Sequence, residues 1–474
     1  MRPIAPLASL TLAALLAGCT VGPHYAGPPA AAPRAAKAAG FVRAGDAPVS
    51  ATGPLAHWWE ALGDATLNGL EAQALAANPD IAVADARLRQ ARAALGMEKA
   101  NAMPQASAQA VYAHLRLPAT SLTNNHDSDL NLYNLGFDAT WEIDLFGGQR
   151  RAVEAARANA GAAEAHLADA QVSLSAEVAQ AYVNLRDLQR RIDLSTHSVA
   201  LQEQMLELTR QRFARGTASQ LDVTRLQNQI DSSRADITPL NAQLEAYLDE
   251  LATLTGAEPG ALDDLLKPQA PLPLPPASVA VGDPAALLRN RPDIRAAERT
   301  LAADTAKIGQ AEAARFPKVS FLGIIGVGGT SLSLDHLDDF TALAAPQISW
   351  DFLDFGRSKA RVVEAEGVRD EAEAKYRATV LSALRDAEDS LSRFRYRRIT
   401  VATLARAKDE ADQALALSQQ RYRAGTSTLI DLLDAQRRQI AAEQSLSQAE
   451  AGLTGDFIAI QKALGLGWAP AGKA

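Results

Sequence analysis

Apolar residues recur along this chain with two spacings, and each spacing predicts one kind of secondary structure. In residues 131–144 every second residue is apolar, which is the period of a β-strand. From Val178 onward apolar residues recur at steps of three and four, which is the seven-residue repeat of coiled-coil helices. Residues 147–214 contain no proline, so we predict one helix there, about 100 Å long at about 1.5 Å per residue.

The chain contains this arrangement twice. Pro79-Asp80-Ile81 matches Pro292-Asp293-Ile294, 213 positions later (292 − 79). RFARGTASQLDVTRLQ at 212–227 matches RYRAGTSTLIDLLDAQ at 421–436, 209 positions later (421 − 212). We therefore predict a duplicated unit, in which a helix, two strands, a long helix, a Gly-Thr turn and a returning helix follow one another. The offset changes by four residues, and we assign the extra residues to a longer loop at 118–129.

The first nineteen residues have the layout of a secretory signal. MRPIAPLASLTLAALLAGC has one early charge, a short apolar stretch and small residues before Cys19. The apolar stretch is too short to span a bilayer permanently. Residues 16–19 look like a bacterial lipobox, and this likeness implies cleavage before Cys19 and acylation there. The alternative is an ordinary signal peptide that happens to contain a cysteine.

The predicted boundaries follow from the two copies and from a proline-rich stretch between them. KPQAPLPLPP at 267–276 excludes both a helix and a central strand, so it is a linker. The returning helices are predicted at 219–254 and 428–465. The predicted domains are a signal peptide at 1–18, a lipidated extended segment at 19–62, a first repeat at 63–266, the linker at 267–282, a second repeat at 283–466 and a tail at 467–474. The first repeat contains a β-hairpin at about 104–146 and a helical hairpin at about 147–255. The second repeat contains a β-hairpin at about 317–355 and a helical hairpin at about 356–465.

Four strands are predicted in each chain. Three lie at 105–115, 131–144 and 318–329, and in the fourth Ile348, Trp350 and Phe352 alternate with polar residues. Four strands cannot close a membrane barrel, since the smallest have about eight, and lipid does not tolerate an open edge. With the lipoprotein signal, we favour a barrel built from several chains over a soluble sandwich. Two chains would give eight strands and three would give twelve, and the periodicity does not choose.

Composition excludes several classes of function. The net charge of -8 does not favour nucleic acid, whose binding needs a basic face. One cysteine allows no intrachain disulfide. The chain has no Walker loop, no HExxH and no GxSxG, and its seven histidines show no metal-ligand spacing. We therefore expect neither an enzyme nor a metal site.

Several motifs together resemble the outer-membrane channels of tripartite efflux pumps, of the TolC and OprM kind, and above all the NodT-type lipoproteins. The resemblance covers essentially the whole mature chain. His24 stands where an acidic residue is common, and we expect this change to be harmless. The motifs are Cys19-Thr20-Val21-Gly22-Pro23 with Tyr25, Trp58-Trp59 before Leu67 and Leu70, the helix at 78–92, Trp141 through Gly147, and Arg421-Tyr422, Gly425 and Leu433-Asp434-Ala435-Gln436.

This resemblance implies a mostly α fold with a membrane β-barrel. A homotrimer would join four strands per chain into a twelve-stranded outer-membrane barrel, and its coiled-coil hairpins into a trimeric α-barrel through the periplasm. It implies a passive export channel for drugs or other small molecules, with no cofactor except the lipid on Cys19. The partners would be a periplasmic adaptor (a membrane fusion protein), an inner-membrane proton-driven RND pump and outer-membrane lipid.

Carried over by position, the helical tips would form the periplasmic gate. Ile430 and Asp434 would line the constriction with Asp431 beside them, while Arg421 and Tyr422 would link neighbouring coils. Rings of symmetry-related carboxylates favour cations and make closure sensitive to pH or salt. The alternative for both aspartates is solvated residues that the helix dipole favours in a first turn. For Arg421 and Tyr422 it is packing beside the heptad seam.

The turns Gly216-Thr217 and Gly425-Thr426 match the turns that meet the adaptor in this family. Three other functions stay open at this point. One is a lipid-anchored coiled-coil scaffold that spans the periplasm, which would leave the alternating strands without a role. The others are the same channel serving type I protein secretion or metal-ion efflux, because a conduit distinguishes only size and charge.

Overall fold

The computed structural model describes residues 20–44, 49–50, 56–117, 128–329 and 340–468. Helices dominate, and four long strands form the larger of two sheets. The main elements are α1 (Ala65–Ala77), α2 (Pro79–Asn101), β1 (Gln105–Leu117), β2 (Ser128–Ile143), α3 (Gly148–Ala214), α4 (Gln220–Leu254), α5 (Pro284–Asn290), α6 (Pro292–Ala313), β3 (Lys318–Gly329), β4 (Phe340–Ser349), α7 (Arg357–Arg423) and α8 (Leu429–Ala463). The shorter elements are the 3₁₀ turns Ala35–Lys37 and Trp58–Leu62, the short helix Asp263–Leu266, and a parallel pair of strands, Val49–Ser50 and Val279–Ala280.

The duplication is visible in the helix lengths. The long helices α3 and α7 have 67 residues each, and the returning helices α4 and α8 have 35 each. Corresponding helices begin 209 positions apart (357 − 148 and 429 − 220). The predicted fold, mostly helical with a duplicated helical hairpin, is therefore confirmed.

Local chemistry explains where the helices begin. The Asp64 carboxylate accepts hydrogen bonds from the first amides of α1. Asn78 caps α2 in the same way, with its Oδ1 accepting from the amide of Asp80 at 2.8 Å. Pro79 and Pro292 stand at the first helical position, where a missing N–H costs nothing. Pro239 lies inside α4 without ending it.

The four long strands pair antiparallel in the order β1-β2-β3-β4. The fourth strand differs from the prediction, because it ends at Ser349 and Trp350 and Phe352 lie beyond it. Ser349 lies opposite Lys318, the first residue of β3, so no residue of β3 is left to pair with Trp350. Trp141 lies inside β2 because β3 continues alongside it as far as Ile143.

The chain divides into two compact units. One contains the residues up to Pro29, Arg87–Glu164 and Ala296–Arg377, and it includes the four-stranded sheet. The other contains Ala30–Ala86, Ala165–Arg295 and Ala378–Ala474, and it includes both Gly-Thr turns. Its core contains most of the predicted coiled-coil seam that starts at Val178, although Phe213, the last apolar residue at that spacing in α3, is exposed.

The linker between the copies is held to the second unit by hydrogen bonds. The buried Arg186 guanidinium donates to the carbonyl oxygens of Leu266 and Pro268, and the Thr454 hydroxyl donates to that of Pro273. Among the described helices, none is both long and apolar enough to cross a membrane. The predicted signal peptide, Cys19, most of the predicted loop at 118–129 and residues 469–474 lie outside the described residues.

Candidate functional site

Both Gly-Thr turns have the same backbone geometry. Gly216 and Gly425 have φ of +74° and +72°, a left-handed conformation that glycine adopts at low cost. In the second copy the amide of Thr426 donates to the carbonyl of Arg421, and the amide of Gly425 donates to that of Tyr422. The first copy has the same pair of bonds, which is the Schellman motif that ends a helix. The predicted docking turns are exposed at the ends of α3 and α7.

A capping box begins the returning helix in each copy. The Thr428 hydroxyl donates to the Asp431 carboxylate at 2.7 Å, and the amide of Asp431 donates back to that hydroxyl. Ser219 and Asp222 make the same box in the first copy. The Thr428 hydroxyl, then its amide, lower the pKa of Asp431, and Ser219 does the same for Asp222. Asp431 therefore has a local structural role at the helix start.

One side-chain contact joins the two helical hairpins at their tips. The Arg212 guanidinium donates to the Tyr422 hydroxyl at 3.0 Å and lies 5.5 Å above the centre of the tyrosine ring. The ring packs against an apolar cluster from both hairpins, which includes Leu226 and Leu429. The structure thus gives Tyr422 a partner on the other coil. Arg421, by contrast, is exposed, and its charge contributes a smaller lowering of the pKa of Asp431.

The remaining candidate gate residues lie along the first turns of α8. The Ile430 side chain is half exposed. The Asp434 carboxylate makes an ion pair of 2.9 Å with Arg438, four residues further along the helix. Asp434 also lines a polar cleft of about 440 Å³ between α3, α4 and α8. The carboxylate of Asp434 is therefore available at a surface in this chain, unlike that of Asp431, which serves the cap.

Comparison of the two tips separates shared residues from divergent ones. At an offset of 209 positions, Asp431 corresponds to Asp222 (431 − 222), and both make the capping box. Asp434 corresponds to Arg225 (434 − 225), so the charge is reversed. Tyr422 corresponds to a phenylalanine, which has no hydroxyl to accept a bond.

The segment that follows Cys19 is held by a buried arginine. The Arg151 side chain is only 1% exposed, and its guanidinium donates to the carbonyl oxygens of Val21 and Gly22 at 3.3 and 3.1 Å. The same guanidinium lies 3.3 Å from Nδ1 of His24 and 2.7 Å from the Glu154 carboxylate. Since arginine only donates, Nδ1 of His24 is the acceptor of this bond.

Close backbone contacts fix the same segment on both sides. The amide of Val21 donates to the carbonyl of Phe146, just after β2, at 3.1 Å. A Cβ added to Gly22 would lie 2.4 Å from Cα of Gly309 on α6. The Tyr25 hydroxyl donates to the Glu298 carboxylate at 3.2 Å, and burial, followed by the Glu298 charge, raises the pKa of Tyr25. Thr20, the first described residue, lies against Gly147.

Sequence reasoning missed three of these residues as parts of a site. In the sequence, Arg212 serves only as a marker of the duplication. Its correspondence to Arg421, a candidate gate residue, is a signal that Arg212 also lies at the tips. The spacing Thr-x-x-Asp at Thr428 is a capping-box signal that the sequence carries in both copies. The sequence contains no signal for the role of Arg151. Nothing near Arg151 indicates that the carbonyl oxygen of Val21, 130 positions away (151 − 21), would need a hydrogen-bond donor.

Comparison with known proteins identifies the family. Residues 70–257 and 284–466 match the family described as outer membrane efflux protein. The chain belongs to this family. One relative of this outer membrane efflux protein is nodulation protein T of Rhizobium leguminosarum biovar trifolii, which is 31% identical over 97% of this chain and 97% of that protein.

Two further comparisons agree with that assignment. The toluene efflux pump outer membrane protein TtgF of Pseudomonas putida is 30% identical over 97% of this chain and 96% of that protein. Among solved structures, the outer-membrane channel OprN is similar with a TM-score of 0.88 and 35% identity, covering 95% of this chain and all of that one.

This outer membrane efflux protein is a passive channel and not an enzyme. Channels of the family are trimeric components of tripartite pumps, and this one works in the outer membrane with a periplasmic adaptor and an inner-membrane pump. The family carries no cofactor. The assignment decides for the channel and against the lipid-anchored scaffold.

Proposed function

We propose that this chain forms, as a trimer, a gated outer-membrane duct for small molecules, with its gate at the tips of the helical hairpins. Its four strands would contribute to a twelve-stranded β-barrel, and its hairpins to the periplasmic tunnel. Relatives are named for the export of pyoverdine, toluene and antibiotics, which differ in size and polarity. Small molecules handed over by an inner-membrane pump are therefore the proposed cargo, ahead of proteins or metal ions.

The contact between Arg212 and Tyr422 carries the proposal of a gate. It joins the tip of the first hairpin to that of the second, so the two tips can separate only if it breaks. It is partly exposed, so it is worth only about 0.5–1.5 kcal/mol, which an adaptor could replace. Ile430 and Asp434 would line the constriction, while Arg421 would make the corresponding link to a neighbouring chain.

Replacing Tyr422 by phenylalanine tests the gate. Tyr422→Phe keeps the ring in the apolar cluster and removes only the acceptor, and phenylalanine is already the counterpart in the first copy. We expect about 2- to 10-fold more open time in a planar lipid bilayer, from a lost bond of about 0.5–1.5 kcal/mol. The matched control is Tyr396→Phe, because Tyr396 on α7 also lies against an arginine, Arg395. Equal currents from both variants and the native channel would show that the contact between Arg212 and Tyr422 does not hold the gate closed.

The two Gly-Thr turns are the proposed docking points for the adaptor. They are exposed, and a Cβ built at Gly216 or Gly425 would meet no atom within 4 Å. An incoming helical hairpin therefore finds open space around both turns. Because the backbone geometry is the same in both copies, a trimer would present six such turns.

Cys19 is the proposed lipid anchor. Thr20, its neighbour in sequence, lies against Gly147 directly after β2, so acyl chains on Cys19 would enter the membrane close to the strands. We expect Cys19→Ser to abolish acylation, measured by mass spectrometry, and to leave trimer assembly intact because Arg151 holds the following residues without lipid. Loss of all folded protein in this variant would show that the anchor is needed for folding.

A further inference from the structure

Three polar side chains are buried on α3 inside an otherwise apolar stretch of the coiled-coil core. Ser195, Ser198 and Gln202 are buried, and Gln202 is only 1% exposed. Val199 and Leu206, on the same helix, belong to an apolar cluster with residues of α4. Burial of a polar group costs free energy unless the group finds a hydrogen-bond partner. Core packing alone therefore does not account for these three residues.

The hydrogen bonds of this group leave one acceptor unused. Nε2 of Gln202 donates to the Ser198 hydroxyl at 3.3 Å, and Nε2 of Gln444 on α8 donates to the Ser195 hydroxyl at 2.9 Å. Oε1 of Gln202 is buried and has no hydrogen-bond partner among the described residues. Gln202 also lines the polar cleft of about 440 Å³ between α3, α4 and α8. A buried acceptor at such a cleft can be satisfied by a donor that enters the cleft.

The second copy shows that the long helix folds without these polar residues. All three counterparts on α7, 209 positions later, are apolar. They are Leu404, Ala407 and Ala411 (404 − 195, 407 − 198 and 411 − 202). Since α3 and α7 have the same length of 67 residues, the polar group is not a requirement of helix formation.

Two other sides of the cleft carry opposite charges. Asp236 of α4 and Arg437 of α8 line it and are exposed, and neither side chain has an ion-pair or hydrogen-bond partner in the part of the chain that the structure describes. Arg191, Asp434 and Arg438, which also line the cleft, all have ion-pair partners. A carboxylate from one helix and a guanidinium from another are therefore available to a ligand that carries both charges.

We propose that this cleft binds a short peptide with free ends, its ammonium on Asp236, its carboxylate on Arg437 and an amide N–H on Oε1 of Gln202. A guanidinium can hold a carboxylate with two parallel N–H bonds. A peptide also supplies amide donors between its charged ends. The volume of the cleft falls within the range of about 300–1,000 Å³ that is usual for small-ligand sites. This inference goes beyond the proposed function, because the site lies within one chain and does not depend on the gate.

Three matched peptides test the site by isothermal titration calorimetry on the purified full-length protein. Trialanine has both charges, N-acetyl-trialanine lacks the ammonium, and trialanine amide lacks the carboxylate. We expect trialanine to bind about 2- to 5-fold more tightly than either blocked peptide, because each blocked peptide loses one partly exposed charge contact. Equal affinity for the three peptides, or no binding of trialanine, would overturn the proposal.

Variants of the two charged residues should each affect a different set of peptides. Asp236→Asn should weaken trialanine and leave N-acetyl-trialanine unchanged, since that peptide has no ammonium to lose a partner. Arg437→Gln should weaken both of these peptides and leave trialanine amide unchanged. The control is Asp231→Asn, because Asp231 lies on α4 but does not line the cleft. Equal weakening of all three peptides by either variant would contradict the assigned contacts.

Replacement of Gln202 separates a binding role from a structural one. Gln202→Leu removes the unpaired buried acceptor, so the thermal midpoint without peptide should stay at or above the native value. The same variant should bind trialanine about 2- to 10-fold more weakly, because the peptide loses one hydrogen bond. An unchanged affinity would overturn the contact with Gln202.

Currents in a planar lipid bilayer, recorded from the same preparations, keep this site apart from the proposed channel. A protein that conducts but does not bind trialanine would overturn the site and leave the channel. A protein that shows the expected peptide preference but carries no current would leave the site and overturn the proposed duct.

Discussion

The two helical tips of the chain share a backbone and differ in the side chains that meet there. Both use a left-handed glycine to end the long helix and a hydroxyl–aspartate box to begin the returning one. They differ at the hydroxyl of Tyr422 and at the charge of Asp434, whose counterpart is Arg225. Since both copies fold into the same hairpin, the shared residues are those that folding needs. We propose that the divergent residues serve the gate.

The largest expected effect comes from the shared glycines. Gly425→Val and Gly216→Val force a β-branched residue into the left-handed region, at about 1–2 kcal/mol or more. We expect both to lower the thermal midpoint of the purified channel to a similar extent and to sensitise cells to exported compounds. Gly69→Val is the control, because Gly69 lies inside α1 with nothing within 4 Å of an added Cβ. A harmless Gly425→Val would show that the turn is not held in the left-handed region.

The capping boxes should come next. Thr428→Ala and Ser219→Ala each remove a cap worth about 1 kcal/mol, so local opening of the following turn should rise about fivefold. Amide hydrogen exchange of residues 429–433 and 220–224 measures it. Equal effects at the two tips would support a purely structural role for Asp431. An increase in channel current from Thr428→Ala alone would instead tie that cap to the gate.

The divergent charge should have a smaller effect, visible only in transport. Asp434→Asn removes one partly exposed charge per chain, worth about 0.5 kcal/mol, so cation preference should fall about twofold. Reversal potentials in asymmetric salt measure this preference. Arg225→Gln is the control on the first tip, and we expect it to leave the preference unchanged. Identical reversal potentials for Asp434→Asn and the native channel would show that Asp434 is a solvated surface residue with no part in ion selectivity.

The smallest effect should be a dependence on pH that both tips share. The hydroxyls of Thr428 and Ser219 lower the pKa of Asp431 and Asp222. Each aspartate then stabilises its helix start above the unfolded pKa of about 3.9, and this stabilisation is lost as the pH falls through the lower, folded pKa. The rate of amide hydrogen exchange in the two turns, corrected for intrinsic rates, should rise in parallel as the pH falls below the folded pKa values of the two aspartates. Opening at one tip only would contradict the equivalence of the boxes.

The helical part of the fold could be predicted because its signals are local. Asn78 followed by Pro79 is a local signal for the start of α2, and the absence of proline from 147 to 214 predicts one long helix. The fourth strand could not be predicted to its end in the same way. The alternation of apolar and polar residues continues through Trp350 and Phe352, but a strand also needs a neighbouring strand to pair with. Because β3 begins opposite Ser349, β4 ends there.

The candidate site was predictable in position and less so in role. The duplication located both turns, and the resemblance supplied the candidate gate residues, whose role stays a prediction. The pairing of Tyr422 with Arg212 depends on how two distant hairpins pack, so no spacing in the sequence reports it. The capping role of Asp431 was available from Thr428 three residues earlier, a signal that the gate interpretation overlooked.

The contact of Gly22 with Gly309 also sets an order of events for the newly exported chain. These residues are 287 positions apart (309 − 22), and their backbones touch so closely that a Cβ on Gly22 would collide. Arg151, which holds the same segment, comes from the first copy, while Gly309 comes from the second. The segment around Gly22 can therefore make its contacts with Gly309 only after nearly two thirds of the chain has left the inner membrane. Until then the residues after Cys19 have no such contact, and under the proposed anchoring Cys19 would be open to acylation.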